Sequence, residues 1–391
     1  MNYKIVFVLF LITGPVIAQN FNFNQGSVAA ETYHVSVPFE FVKGKIIISA
    51  AVEGEVYKFM VDTGAPNMVS RALYEKINPP LLKTLKISDS SNKKDSLDVV
   101  SLKSISIAGV EFQSTPALVD NQSILLECFE VDGIIGSNML RNTAVKFSLS
   151  QKTMTISNTA SVFNLDKRAA IPMQLLFNQS SPYFWMKLKG KNNGKVQVLF
   201  DSGMEGVLDI SLGNLKQLGQ LDIFENIFTS KGSSSLGLFG MAEERTQYKM
   251  TVPQIKIGKL LLENGLVHTT NAGNSRVGTT ILHYADVVLD NPKQKIYFSP
   301  LQAENQNAYK KSFPIEPTYA EGKVLVDFIW NKEAVPNIEK GDEIIKINGQ
   351  QCRGMELCAF LFYLSKQNKN TLELVTIDQN GEEQLTVINK E

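Results

Sequence analysis

Strand-length apolar runs, separated by Gly, Pro, Asn and Asp, follow one another from Val37 to Ser299 of this 391-residue chain. Ile47–Val52, Phe184–Leu188, Ile255–Ile257 and Ile296–Phe298 are rich in β-branched, aromatic or other apolar residues, and Gly54, Gly190 and Gly194 mark tight turns. That punctuation predicts hairpins and a mainly β fold.

The runs also recur in order. Val37-Pro38-Phe39-Glu40-Phe41 returns as Ile171-Pro172-Met173-Gln174-Leu175, and Ile105-Ser106-Ile107-Ala108-Gly109 as Ile255-Lys256-Ile257-Gly258. Ile134-Ile135-Gly136 with Leu140 returns as Arg276-Val277-Gly278 with Leu282. The units close on Ala144–Phe147 and Met154–Ser157, then on Ala285–Leu289 and Ile296–Ser299. Two similar units are expected, over 33–160 and 161–300.

Each unit carries one carboxylate in the same place. Phe59-Met60-Val61 runs into Asp62-Thr63-Gly64, and Val198-Leu199-Phe200 into Asp201-Ser202-Gly203. Burial disfavours a charged carboxylate, so an Asp ending a hydrophobic strand is costly. One such tripeptide reads as a strand entering a turn; two in register suggest carboxylates that meet and share a proton. Asp62 and Asp201 are therefore the candidate catalytic pair, activating a water. Gly64 and Gly203 supply turn geometry, and the Thr63 and Ser202 hydroxyls hold the carboxylates coplanar.

These paired motifs resemble the aspartic peptidases, specifically the retropepsin-like group, and two fused copies resemble the two-lobed pepsin-type arrangement. The resemblance spans about residues 33–300. It implies that Gly136 and, by position, Gly278 let a second chain segment thread behind each catalytic loop. It implies covering flaps at Ile87–Leu102 and Lys231–Met241, both polar and turn-rich in their middles. Two positions depart from the pattern: Met204 follows Gly203 in place of a small residue, and Arg276 replaces an apolar one.

Composition narrows the chemistry. With 39 basic and 39 acidic residues the net charge is zero, so nucleic acid is not an expected partner. The three histidines, His34, His268 and His283, sit at no ligand spacing, and neither a metal nor another cofactor is expected. Three cysteines indicate no disulfide framework, and Cys358, in an apolar helical run, reads as a buried thiol.

Lys4, the apolar Ile5–Ile12, Gly14-Pro15 and Val16-Ile17-Ala18 read as a signal peptide over 1–18, cleaved after Ala18. Export to a periplasmic or extracellular space is expected, without a membrane span. Residues 19–32 read as a mobile lead-in and 301–308 as a linker. In 309–391, Lys340-Gly341-Asp342-Glu343-Ile344-Ile345-Lys346-Ile347-Asn348-Gly349 resembles a PDZ domain, which implies a peptide ligand added as a strand. The ligand-binding loop would be Tyr319–Gly322. The leading reading is a monomeric exported aspartic endopeptidase acting on a peptide or protein substrate. The alternative is a catalytically silent peptide-binding protein that uses the interlobe cleft and the tail.

Overall fold

Phe59, Met60 and Val61 are all buried in the strand Glu55–Asp62, as befits a strand covered on both faces. It pairs antiparallel with Lys45–Val52 and parallel with Gly133–Gly136, which sets Gly136 opposite Asp62. The second unit repeats the plan. Asn193–Phe200 pairs antiparallel with Ser181–Lys189 and parallel with Ser275–Val277, with Phe200 opposite Val277. Each aspartate thus stands at the C-terminal end of a strand that is paired on both sides. The computed structural model describes residues 21–391 except 90–92, 234–235, 303–304 and 367–368, so the expected signal peptide lies outside the described residues.

The fold is mainly β. Strands of the first unit form a nine-stranded sheet, and those of the second belong to a 14-stranded one. That larger sheet continues through Lys295–Pro300, Ala285–Asp290, Ala144–Ser148, Thr153–Ser157 and His34–Pro38. Val145 stands opposite Leu289, so the closing strands of the two repeats join in one platform. Apolar packing crosses it, with Phe147, Phe200 and Phe298 in a chain of ring contacts at 6.0 and 6.4 Å. A continuous core under both aspartates fixes their relative position.

Three expectations need correction. Residues 21–32 are not a loose lead-in: Phe23 is 5% exposed, packs with Met60, Met68 and Ile134, and donates its N–H to Asn178 O at 2.8 Å. Ser27–Val28 then adds a strand to Val110–Val119. The aromatic rings within this polar stretch supply the anchoring. In the expected linker, Gln306–Asn307 pairs with Leu260–Thr270, and Gln306 Nε2 donates to Tyr284 O at 2.9 Å. Cys358 is not a thiol. It forms a disulfide with Cys128, 230 residues away, and leaves Cys352 as the buried free cysteine. An odd count excludes complete pairing but permits one bridge.

The C-terminal unit has its own core around Val324, Ile344, Phe360 and Leu374. Its sheet runs Ile315–Ala320, Lys323–Ile329, Glu343–Ile347, Thr371–Ile377, Glu383–Asn389, accompanied by the helix Leu357–Ser365. Tyr319–Gly322 closes a hairpin just before Val324, with Glu321 and Gly322 at φ 52° and 75°. Two consecutive positive φ values suit a tight two-residue turn.

This unit touches both halves of the chain. On the first, Cys358 bonds Cys128, Phe362 meets Phe129 edge-on at 5.6 Å, and Lys43 Nζ donates to Leu361 O at 2.7 Å. On the second, Asp327 accepts from Ser233 N at 2.7 Å, and Ile329 N donates to Ser230 Oγ at 3.0 Å. Those contacts fall at the base of the expected second flap.

Candidate active site

The two Asp-Thr/Ser-Gly turns face each other and are cross-bonded. Thr63 N donates to Ser202 Oγ at 3.0 Å, and Ser202 N to Thr63 Oγ1 at 3.0 Å. Each hydroxyl then donates across the interface, Thr63 to Phe200 O at 2.6 Å and Ser202 to Val61 O at 2.8 Å. Both hydroxyls are fully buried, so each loop depends on the other for its polar satisfaction. Four reciprocal bonds leave little freedom for the flanking aspartates.

The carboxyls lie against each other's turns. A Cβ on Gly64 would sit 2.9 Å from Asp201 Oδ1, and one on Gly203 would overlap Asp62. Only glycine leaves that space. Gly64 N donates to Asp62 Oδ1 at 2.8 Å and Gly203 N to Asp201 Oδ1 at 3.0 Å, which aims both groups. Gly136 and Gly278 back the turns: a Cβ on Gly136 would overlap the Ala65–Asn67 backbone, and one on Gly278 would lie 2.6 Å from Met204 O. Met204 is buried in the turn, and its carbonyl accepts from Thr279 N at 2.9 Å.

Burial, and then the facing Asp201, push the Asp62 carboxyl up to about 7. The pair is not symmetric. Arg276 Nη1 lies 3.3 Å from Asp201 Oδ2, while its Nη2 lies 3.2 Å from Asp209 Oδ2 and from Thr270 Oγ1. Burial works against the guanidinium, but Asp201, Asp209 and Asp62 outweigh it and hold the charge more firmly. Asp209 is itself raised by burial, partly offset by Arg276. Lys45 donates to Gly203 O, and burial lowers its ammonium against the pull of Asp62 and Asp201. Two cations thus flank two carboxyls.

These groups line a cavity of about 470 Å³ together with Phe23, Gln179 and Asn274. Gln179 Nε2 donates to Gly64 O at 2.8 Å. The cavity is roofed from both units. Ile87 and Asp89 come from the hairpin of Leu81–Ser88 and Lys94–Ile107, and Gly237 and Leu238 from the turn before Gly240–Met241. The roofs touch where Phe239 N donates to Asp89 Oδ2 at 3.0 Å. Among the described residues no cluster of three or more His, Cys, Asp or Glu could hold a metal ion. The arrangement brings two carboxyls and two cations to the wall of a single cavity.

Residues 48–139 match the aspartyl protease family. The matched segment includes Asp62 and Gly136 and ends well before Asp201. No curated protein sequence matches the chain. Among solved structures, a retropepsin-like aspartic protease from Rickettsia conorii is similar at 19% identity and a TM-score of 0.25, over 34% of this chain and 94% of that one. The aspartyl protease match thus rests on the first repeat, and the second is tied to it by the structural correspondence described above.

Lys45, Asp209, Gln179 and Phe23 were not visible as site residues in the sequence. Lys45 merely opens an apolar strand, and Asp209 reaches the site only through Arg276. The one available signal was Arg276 itself, a cation where the first repeat has Ile134.

Proposed function

We propose that this chain is an aspartic endopeptidase that hydrolyses peptide bonds with a water held between Asp62 and Asp201. The observation that carries the reading is the reciprocal bonding of Thr63 and Ser202, which sets two buried carboxyls together in a roofed cavity. Paired carboxyls this close share one proton, as in the general behaviour of such dyads. Arg276 favours the negative charge on Asp201, so Asp62 keeps the proton.

In this scheme Asp201 takes a proton from the water as its oxygen attacks the scissile carbonyl carbon. Asp62 gives its proton to the carbonyl oxygen, so that no full oxyanion forms. The tetrahedral diol then collapses: one hydroxyl proton returns to Asp62, the proton on Asp201 passes to the leaving nitrogen, and the C–N bond breaks. No covalent enzyme intermediate is needed. Lys45 steadies the second loop through Gly203 O, and the roof excludes bulk water.

Export is part of the proposal, supported by the charged and apolar leader and by the Cys128–Cys358 bond, which suits an oxidising compartment. The C-terminal unit is read as PDZ-like on its Gly341–Gly349 stretch, and its contacts with Ser230 and Ser233 give it a further role in supporting the second roof. Digestion of a mixed peptide library tests the reading. Internal cleavage that is blocked by a statine-type mimic of the diol, and unaffected by a chelator, is the expected result. Absence of cleavage from pH 3 to 8, or loss of cleavage with the chelator, would refute it.

A further inference from the structure

Strand Ser181–Lys189 leads out of the catalytic cavity. Tyr183 stands opposite Leu199, which lines that cavity, and its hydroxyl feels the charges of Asp201 and Arg276. Along the same face the strand then presents Trp185, 57% exposed, followed by Lys187 and Lys189, while Phe184, Met186 and Leu188 point into the core. Lys187 is paired directly with Lys195 on one side and with Lys256 on the other.

Three lysines side by side across neighbouring strands repel one another. Among the described residues none of Lys187, Lys189, Lys195 or Lys256 has an ion-pair partner, in a chain whose net charge is zero. Glu263, opposite Gln254 on the next strand, accepts from Asn305 Nδ2 at 2.9 Å, and Asp222 pairs with Lys191. The lysines surround a concavity of about 600 Å³ floored by Gln254 and Leu261. A folded state that tolerates this repulsion has an unfilled place for negative charge.

We propose that this trough is an exosite for an extended acidic segment of the protein substrate, a proposal that rests on the peptidase reading above. The spacing fits such a partner. Alternate side chains of an extended peptide recur every ~6.7 Å, which is also the separation of Lys187 from Lys189 along their strand. Lys187 and Lys189 lie four and six residues beyond Tyr183, or about 13 and 20 Å from the cavity. Tyr183 stands level with Leu199, two residues before Asp201, so acidic residues six to eight positions from the scissile bond would reach them. A membrane surface is flat and would leave the concavity empty, so a chain fills it better.

The test uses the full chain, its Lys187→Gln/Lys195→Gln/Lys256→Gln variant, and fluorescein-labelled decaglutamate followed by anisotropy. Binding should weaken with salt and fall at least tenfold in the variant. A peptide with three glutamates six to eight residues from the cut, on one side or the other, should show a lower KM than its glutamine counterpart. That advantage should vanish in the variant, with hydrolysis of the glutamine peptide unchanged. Equal decaglutamate affinity of the two proteins would overturn the proposal. So would binding to vesicles of 3:1 phosphatidylcholine and phosphatidylglycerol that depends on the lysines while decaglutamate goes unbound. If neither peptide is cut, the peptidase reading fails, and the anisotropy still decides what the trough binds.

Discussion

Arg276 Nη1 lies 3.3 Å from Asp201 Oδ2, and no equivalent cation touches Asp62 from the matching position of the first repeat, which is Ile134. The two halves of the repeat are therefore alike in backbone and unlike in charge. One carboxyl faces a buried guanidinium, and the other, desolvated, holds its proton up to about 7.

Replacing Arg276 by Leu, to imitate Ile134, should have two effects. Asp201 and Asp209 would lose their shared cation, which should cost about 3–5 kcal/mol in urea unfolding. Removing the guanidinium also takes a positive charge from beside the pair, so the pH–rate profile should move to higher pH. Arg276→Lys keeps the charge and should shift the profile less. An unmoved profile in Arg276→Leu would show that the guanidinium does not bias the pair.

The raised Asp62 carboxyl also predicts the pH dependence of stability. It titrates at about 7 in the fold and at about 4 in an unfolded chain. Between those values the folded state binds more protons, so this group's contribution is complete below about pH 4 and is lost as pH rises through 7. Asp62→Asn should melt at a higher temperature than the unsubstituted protein at pH 8 and at the same temperature near pH 3.5. Activity should decline above pH 7 as the same proton leaves.

Cysteine chemistry gives a simple check on how the C-terminal unit is held. Denatured protein should titrate one thiol without reductant and three with it, since only Cys352 is free. Cys358→Ser should cost about 2–4 kcal/mol. It should also lower activity on short peptides, because the unit that carries Asp327 braces Ser233 beneath the second roof. Full activity in Cys358→Ser would mean that the brace is not needed for peptide hydrolysis.

The two-unit plan was legible because burial on both faces leaves an unbroken apolar run before each aspartate, and because the runs recur in one order. Gly136 and Gly278 were legible for a steric reason, since backbone passes where a side chain would stand. Other features depend on contacts that no local pattern encodes. Cys128 and Cys358 are 230 residues apart, and Phe23 reads as one of two rings in a polar stretch until Met60 and Ile134 close around it. Lys45 is indistinguishable in sequence from a surface lysine opening a strand.

The contact between the roofs is open to a direct test. Asp89→Ala removes the acceptor of Phe239 N. Because that bond lies over the cavity and not at the reacting atoms, KM should rise by about threefold to tenfold with kcat nearly unchanged, roughly the loss of one ordinary hydrogen bond. A large fall in kcat at constant KM would place Asp89 in the chemistry itself.

The central claim is that Asp62 and Asp201 form one site that needs both carboxyls. It is tested most directly by single-turnover hydrolysis of the best peptide from the library, by the unsubstituted protein, Asp62→Asn and Asp201→Asn. All three should show the same circular dichroism spectrum. The account predicts that each Asn variant loses at least a thousandfold in rate and that Asp62→Asn/Asp201→Asn loses no more than either alone. Near-full turnover by Asp201→Asn, or losses that multiply in the double variant, would contradict it.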